Sequence, residues 1–241
     1  MAVAQIDVRK EFCTQRRFRY AGLRMEKAHH SPATAVAMQL LSGPDAGGFA
    51  PAPAWALAQP LHFASDWRGK NTDLARGTEV RLLWTNENLH LRFRCNYRTL
   101  TVFADGDDSN GRRHQLWDRD VAEVFLQTDA SQPSRYGEFE ISPNGMWIDL
   151  EISPEGKRDP RSGMKSRVVV NESDNIWTAE LALPMLTLVN VFDPSAKWRV
   201  NFFRVEGAAE PRFYSSWRPT HTPQPNFHVP EAFGTLRFQK A

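Results

Sequence analysis

Trp117-Asp118-Arg119-Asp120-Val121-Ala122-Glu123-Val124-Phe125-Leu126-Gln127 is followed, after a short polar connection, by Tyr136-Gly137-Glu138-Phe139-Glu140-Ile141-Ser142-Pro143-Asn144-Gly145. Apolar and polar residues alternate in both runs, the period of a strand whose side chains point to opposite faces. Val121, Val124, Leu126, Phe139 and Ile141 are expected to fill a core, while the acids and Trp117 make a polar face. Asn144-Gly145 then reads as a tight primed turn, because both residues tolerate positive φ.

The same pattern spreads outward. Leu89, Leu91, Phe93 and Cys95 oppose His90, Arg92, Arg94 and Asn96, and Trp147, Asp149 and Glu151 oppose Ile148, Leu150 and Ile152. Strands are expected at 34–41, 60–64, 79–84, 88–97, 121–127, 135–142, 146–152, 167–171, 176–183, 198–206, 212–217 and 235–239. Asn, Asp, Gly and Pro separate them, and 85–88 is a second turn. Residues 183–188 suggest one short helical turn, and 42–59 is a Gly/Pro/Ala-rich surface loop carrying Trp55. The fold predicted is all-β: an antiparallel two-sheet β-sandwich, immunoglobulin- or jelly-roll-like, with long loops. Residues 1–33 read as a charged N-terminal arm, and 34–241 as one domain.

Composition narrows the function. At 241 residues and 41% hydrophobic content the chain can bury a large core, roughly 70–75% of its unfolded surface. A net charge of +2 and a basic cluster (Arg16, Arg17, Arg19, Arg24) interrupted by Phe18 and Tyr20 argue against a nucleic-acid arm. Two cysteines, Cys13 and Cys95, support neither a disulfide framework nor a four-sulfur metal site. No run approaches the roughly 18 apolar residues of a membrane helix, so no membrane insertion is expected. The N-terminus as written does not read as a signal peptide; secreted or periplasmic placement would require a removed leader, and the cytoplasm is the alternative. Oligomeric state is not legible.

Eight tryptophans stand out. Trp84, Trp147, Trp177 and Trp198, within strands, read as core. Trp117 and Trp217, at strand edges beside polar loops, are candidate platforms on which the apolar face of a sugar ring could stack, while nearby carboxylates, amides and guanidinium groups bind its hydroxyls. Asp105, Asp107, Asp108 and Asn110 offer clustered oxygens to calcium, but the helix–loop–helix pattern fails: Asn110 stands where glycine is required and Leu116 where glutamate is. The loop reads as a solvated acidic turn, with a structural calcium as the alternative; no other cofactor is expected. The run 216–228 is a proline-stiffened loop suited to recognition or to covering a sheet edge.

The segments 82–91, 117–126, 136–145, Ser216-Trp217 and the closing 233–238 together resemble the family 9 carbohydrate-binding modules and bacterial proteins similar to them. The resemblance spans about Ala35 to Phe238 and implies a β-sandwich that binds sugars without cleaving them. It places Trp117 and Trp217 as the two gripping tryptophans and Glu123 as the acid after the first. Where better-known modules carry arginine and asparagine on the next strand, this chain has Glu140 and Ser142; Arg94 and Arg204, on other strands, are the available guanidinium groups. The family also binds calcium, but no ligands match residue by residue.

The candidate site is therefore Trp117, Trp217, Glu123, Glu140, Arg94, Asn144 and Arg204, and the expected partner is a mono- or oligosaccharide. Two other readings compete. A haem-binding redox subunit would draw on Met146, Met164, Met185, His90 or His228. A glycoside hydrolase would use the acidic strand face.

Overall fold

The computed structural model describes residues 33–241; the arm expected at 1–33 lies almost wholly outside the described residues. Thirteen strands form one hydrogen-bonded sheet. They are β1 (Thr34–Gln39), β2 (Leu61–Phe63), β3 (Thr78–Trp84), β4 (Asn88–Asn96), β5 (Val121–Gln127), β6 (Tyr136–Ile141), β7 (Trp147–Ser153), β8 (Gly156–Arg158), β9 (Lys165–Asn171), β10 (Ile176–Pro184), β11 (Trp198–Glu206), β12 (Phe213–Ser216) and β13 (Gly234–Gln239). The helical turn is α1 (Met185–Leu188). Strand order is β8-β7-β6-β5-β11-β13-β1-β3-β4-β10-β9, with β12 on β11 and β2 on β3.

The sheet is mixed, which corrects the antiparallel expectation. β1 runs parallel to both of its neighbours, β13 and β3, while the other pairings are antiparallel. Period-2 alternation reports which face a residue occupies but not the direction of its neighbour, so the pattern alone could not distinguish the two. β11 and β3 each change partner along their length: β11 pairs with β13 at Trp198–Val200 and with β12 at Phe203–Glu206. Such partner changes make corners, and the sheet curls until distant strands meet. Phe93 of β4 packs edge-on against Phe202 of β11 at 6.1 Å, and the Arg204 guanidinium lies 5.1 Å over the ring of Trp177 on β10.

Inside the curl, one core collects Leu82, Leu91, Phe93, Trp177, Phe202 and Trp217, all essentially buried. Gly234 sits against it. A Cβ there would stand 2.6 Å from Trp217 ring atoms and 2.7 Å from the Ala33 carbonyl oxygen. Gly234→Ala should therefore destabilise the protein by about 1–3 kcal/mol through overpacking, a loss readable in urea denaturation.

Two local expectations change. The 142–146 connection is not a two-residue primed turn: Gly145 alone of its residues has positive φ, at 87°. The Gly145 N–H donates to the Ser142 carbonyl at 2.9 Å, and the Ser142 N–H to Met146 O at 2.8 Å. Pro143 fixes negative φ at the first loop position, so a three-residue loop closing on a left-handed glycine forms instead. Trp55, placed in a surface loop, is 2% exposed and packs with Leu40, Ala50 and Leu83 in a second small core. Among the described residues no helix is long and apolar enough to cross a membrane.

Candidate functional site

The strand pair that opens the sequence argument builds the site. On β5, Ala122, Val124 and Leu126 point into the main core, so Val121, Glu123 and Phe125 point to the opposite face. Val121 is fully buried in a second cluster with Leu116, Ile148 and Val205, on the face opposite Val124 and Leu126. Glu123 stands directly across from Glu140 of β6, with Glu138 two residues along on the same face. Carboxylate oxygens of the three lie within 4.8 Å of one another. They are at most 2% exposed, because the face is roofed. Phe227 stacks on Phe203 at 4.2 Å and His228 on Phe125 at 5.2 Å, so the proline-stiffened loop covers this face.

Burial raises the pKa of Glu123 and Glu140 well above the ordinary glutamate value, and the neighbouring carboxylates push the same way. Both Glu140 oxygens lack an N–H or hydroxyl donor. The polar contact open to Glu140 is the Glu138 carboxyl, which adds to the upward push on Glu140. An acid with a raised folded pKa binds protons more readily when folded. The stability contributed by Glu123 and Glu140 is therefore full below about pH 4.5 and is lost as pH rises through their raised values. Unfolding free energy should fall across that window in wild type and fall less steeply in Glu140→Gln. Asp120 and Glu206, also raised by burial, would keep a residual slope.

One wall of the site is Trp117. Gln115 takes a left-handed φ of 56° and starts the single turn Leu116–Asp118, which buries Leu116 and leaves Trp117 partly buried against the cluster of Leu116, Val121, Ile148 and Leu150. Arg212 fixes this wall, donating to the Trp117 carbonyl at 2.8 Å and lying 4.8 Å over the Tyr214 ring. Above Trp117 hangs Lys157 of β8, its Nζ 4.5 Å from the ring centroid and 3.7 Å from Glu138 Oε2. The same ammonium faces His228 Nε2 at 3.5 Å. Lysine has donors only, so Nε2 is the acceptor, and Nδ1–H donates to the Tyr136 hydroxyl oxygen at 2.8 Å. Burial holds His228 below its ordinary pKa, in keeping with that neutral ring.

The structure sets Glu123 and Glu140 side by side and links Trp117 to the neighbouring Glu138 through Lys157; the other expected residues are placed as follows. Trp217 is 2% exposed in the main core, tilted against Phe202 at 5.5 Å; it lies on the inner side of the sheet and does not face Trp117. Arg204 is also interior, donating to the Val121 and Val205 carbonyls and to Glu206. Arg94 is exposed on β4, between Glu79 of β3 and Thr178 of β10. Asn144 is exposed at the hairpin tip, its amide bonded to the Phe103 carbonyl at 2.8 Å. Sequence reasoning passed over Lys157, Arg212 and Tyr214. The i, i+2 spacing of Glu138 and Glu140 was a visible signal for the third carboxylate.

The acidic loop is a poor fit to calcium. Asp107 pairs with Arg113 and His114, its pKa lowered to about 2 chiefly by the His114 N–H, and Asp108 accepts the N–H groups of Asn110 and Arg112. Elsewhere, an open groove of about 450 Å³ runs between Arg218–His221 and Val229–Thr235. Its size suits a ligand, but Glu231 is the one acid among its lining residues, against three beside Lys157.

The sequence profile of the "Carbohydrate family 9 binding domain-like" family matches residues 47–241. The chain belongs to that family. An extracellular protein of Arthroderma benhamiae is 27% identical to this family 9-like chain over 179 residues, covering 67% of it and 78% of the relative. Its fold is shared with a Bacteroides uniformis protein described as a candidate carbohydrate-binding protein, with a TM-score of 0.67, 18% identity, and 86% and 99% of the two chains covered. It is shared also with a family 9 module of Caldicellulosiruptor kristjanssonii solved with glucose, with a TM-score of 0.60, 12% identity, and 86% and 96% covered. The cellotriose complex of a module from the same organism gives a TM-score of 0.57 at 10% identity, with 86% and 94% covered.

Proposed function

We propose that this chain binds carbohydrate without cleaving it, through the Trp117 ring and the carboxylate floor of Glu123, Glu138 and Glu140. The observation that carries the reading is the placing of a partly buried indole, with Lys157 over its ring, and three buried acids on one face of a family 9-like fold. A pyranose presents an apolar C–H face to stack on an indole, and hydroxyls that donate to carboxylates. The glucose and cellotriose complexes of family 9 modules with the same fold support it. So does the reading of residues 34–241 as a single jelly-roll-like domain whose curled sheet packs as two layers, with 1–33 as an arm.

Neither rival reading draws comparable support. Glycoside hydrolysis sets its two carboxyls on either side of the scissile bond, whereas these three crowd side by side on one floor. For haem, both His228 nitrogens are engaged by Tyr136 and Lys157, and Met164 and Met185 are packed in the main core.

Calorimetric titration with glucose, cellotriose and other oligosaccharides checks the assignment. Trp117→Ala and Glu123→Gln are each expected to weaken binding at least about tenfold, or about 1.4 kcal/mol. Wild-type affinity in both variants would move the site elsewhere.

A further inference from the structure

We infer that the sugar this site prefers carries an amine, and that Lys157 occupies the amine's place until the ligand arrives. The inference rests on the carbohydrate reading above and narrows it to amino sugars.

Lys157 is seated as a bound ammonium would be. Its Nζ lies 4.5 Å over the Trp117 ring, 3.7 Å from Glu138 Oε2 and 3.5 Å from His228 Nε2. An indole face, a carboxylate and a neutral imidazole acceptor are the three groups that stabilise an alkylammonium. Behind them, Glu140 is fully buried, and neither of its oxygens meets a donor.

A ligand that stacks on Trp117 must first move Lys157, and the strand allows it. All three residues of β8 are exposed, and the Lys157 side chain is 42% exposed against 3% for Glu138. Displacement by a neutral sugar would strip this ammonium from buried Glu138, an unfavourable loss of its counter-charge. Displacement by an amino sugar exchanges one ammonium for another and leaves the balance unchanged. Arg212 cannot move in as a substitute, because the Trp117 carbonyl at 2.8 Å and Glu210 at 3.3 Å hold it.

A divalent metal suits the place less well. Calcium seeks about six to eight oxygen ligands and gains little from an aromatic wall, whereas here three carboxylates sit among Phe203, Ile148 and Leu150.

The test is calorimetric titration of the full chain with a glucosamine trimer, the same trimer fully N-acetylated, and cellotriose. The glucosamine trimer is expected to bind at least about tenfold more tightly than either neutral trimer. Lys157→Ala, on an exposed strand, should raise its affinity further, and Glu138→Gln/Glu140→Gln should abolish the preference. Equal affinity for cellotriose and the glucosamine trimer overturns the amine inference and leaves the carbohydrate reading standing. Binding of none of the three, in wild type or Lys157→Ala, overturns both. A preference that survives in the double glutamine variant, or an affinity not raised by Lys157→Ala, removes the floor or the lysine from the account.

Discussion

Trp217→Ala is expected to destabilise the fold by about 3–5 kcal/mol while leaving the ligand affinity of the folded fraction unchanged. The side chain is 2% exposed, tilts onto Phe202 and lies against Gly234. Truncation would remove a large apolar surface and leave a cavity that the surrounding strands cannot close. Trp117→Ala should do the reverse, costing about 1 kcal/mol of stability and most of the binding, because its ring is only partly buried, in a loop turn held by Arg212. Urea denaturation and calorimetry on both variants separate the roles. A Trp217 variant of wild-type stability that has lost binding would return this residue to the site.

Glu140→Met is expected to act in the opposite sense on stability, raising it by about 1–3 kcal/mol near neutral pH. Glu140 is fully buried, has no N–H or hydroxyl donor, and stands beside two further carboxyls. Methionine is of similar length and carries no charge to desolvate. The gain should grow as pH rises, since ionisation of Glu123 and Glu140 is what burial opposes. The same variant should bind carbohydrate poorly. A destabilised Glu140→Met would mean that the carboxyl is satisfied within the fold, and it would withdraw the view that the floor is held ready for a ligand at the expense of stability.

Much of this architecture was legible from alternation. The β5 and β6 runs, the β3–β4 turn at Thr85, the β10 ladder and the helical turn Met185–Leu188 lie where the pattern puts them, because each strand buries a face at a fixed period. What alternation cannot carry is strand direction and the identity of whatever covers each face. β1 therefore turned out parallel to both neighbours. β5 is buried on both faces, since a loop remote in sequence roofs its acidic side. Trp217 was misplaced for the same reason: a tryptophan at a strand end beside polar residues looks alike whether its ring turns inward or outward. Lys157 gave no signal, as one charged residue in the exposed hairpin strand 156–158. Its position over Trp117 exists only once β7 and β8 pair. The strand that carries Glu123 was legible because its alternation is local in sequence, whereas the binding role of Trp117 and Glu123 is a proposal for the titrations to test.

The most direct test of the central claim is a crystal structure of the protein soaked with cellotriose and, separately, with a glucosamine trimer. The account predicts a pyranose ring stacked on Trp117, its polar groups on Glu123, Glu138 or Glu140, and the Lys157 side chain swung out. A sugar seated in the groove between Arg218 and Phe233, with Lys157 still over Trp117, would contradict it.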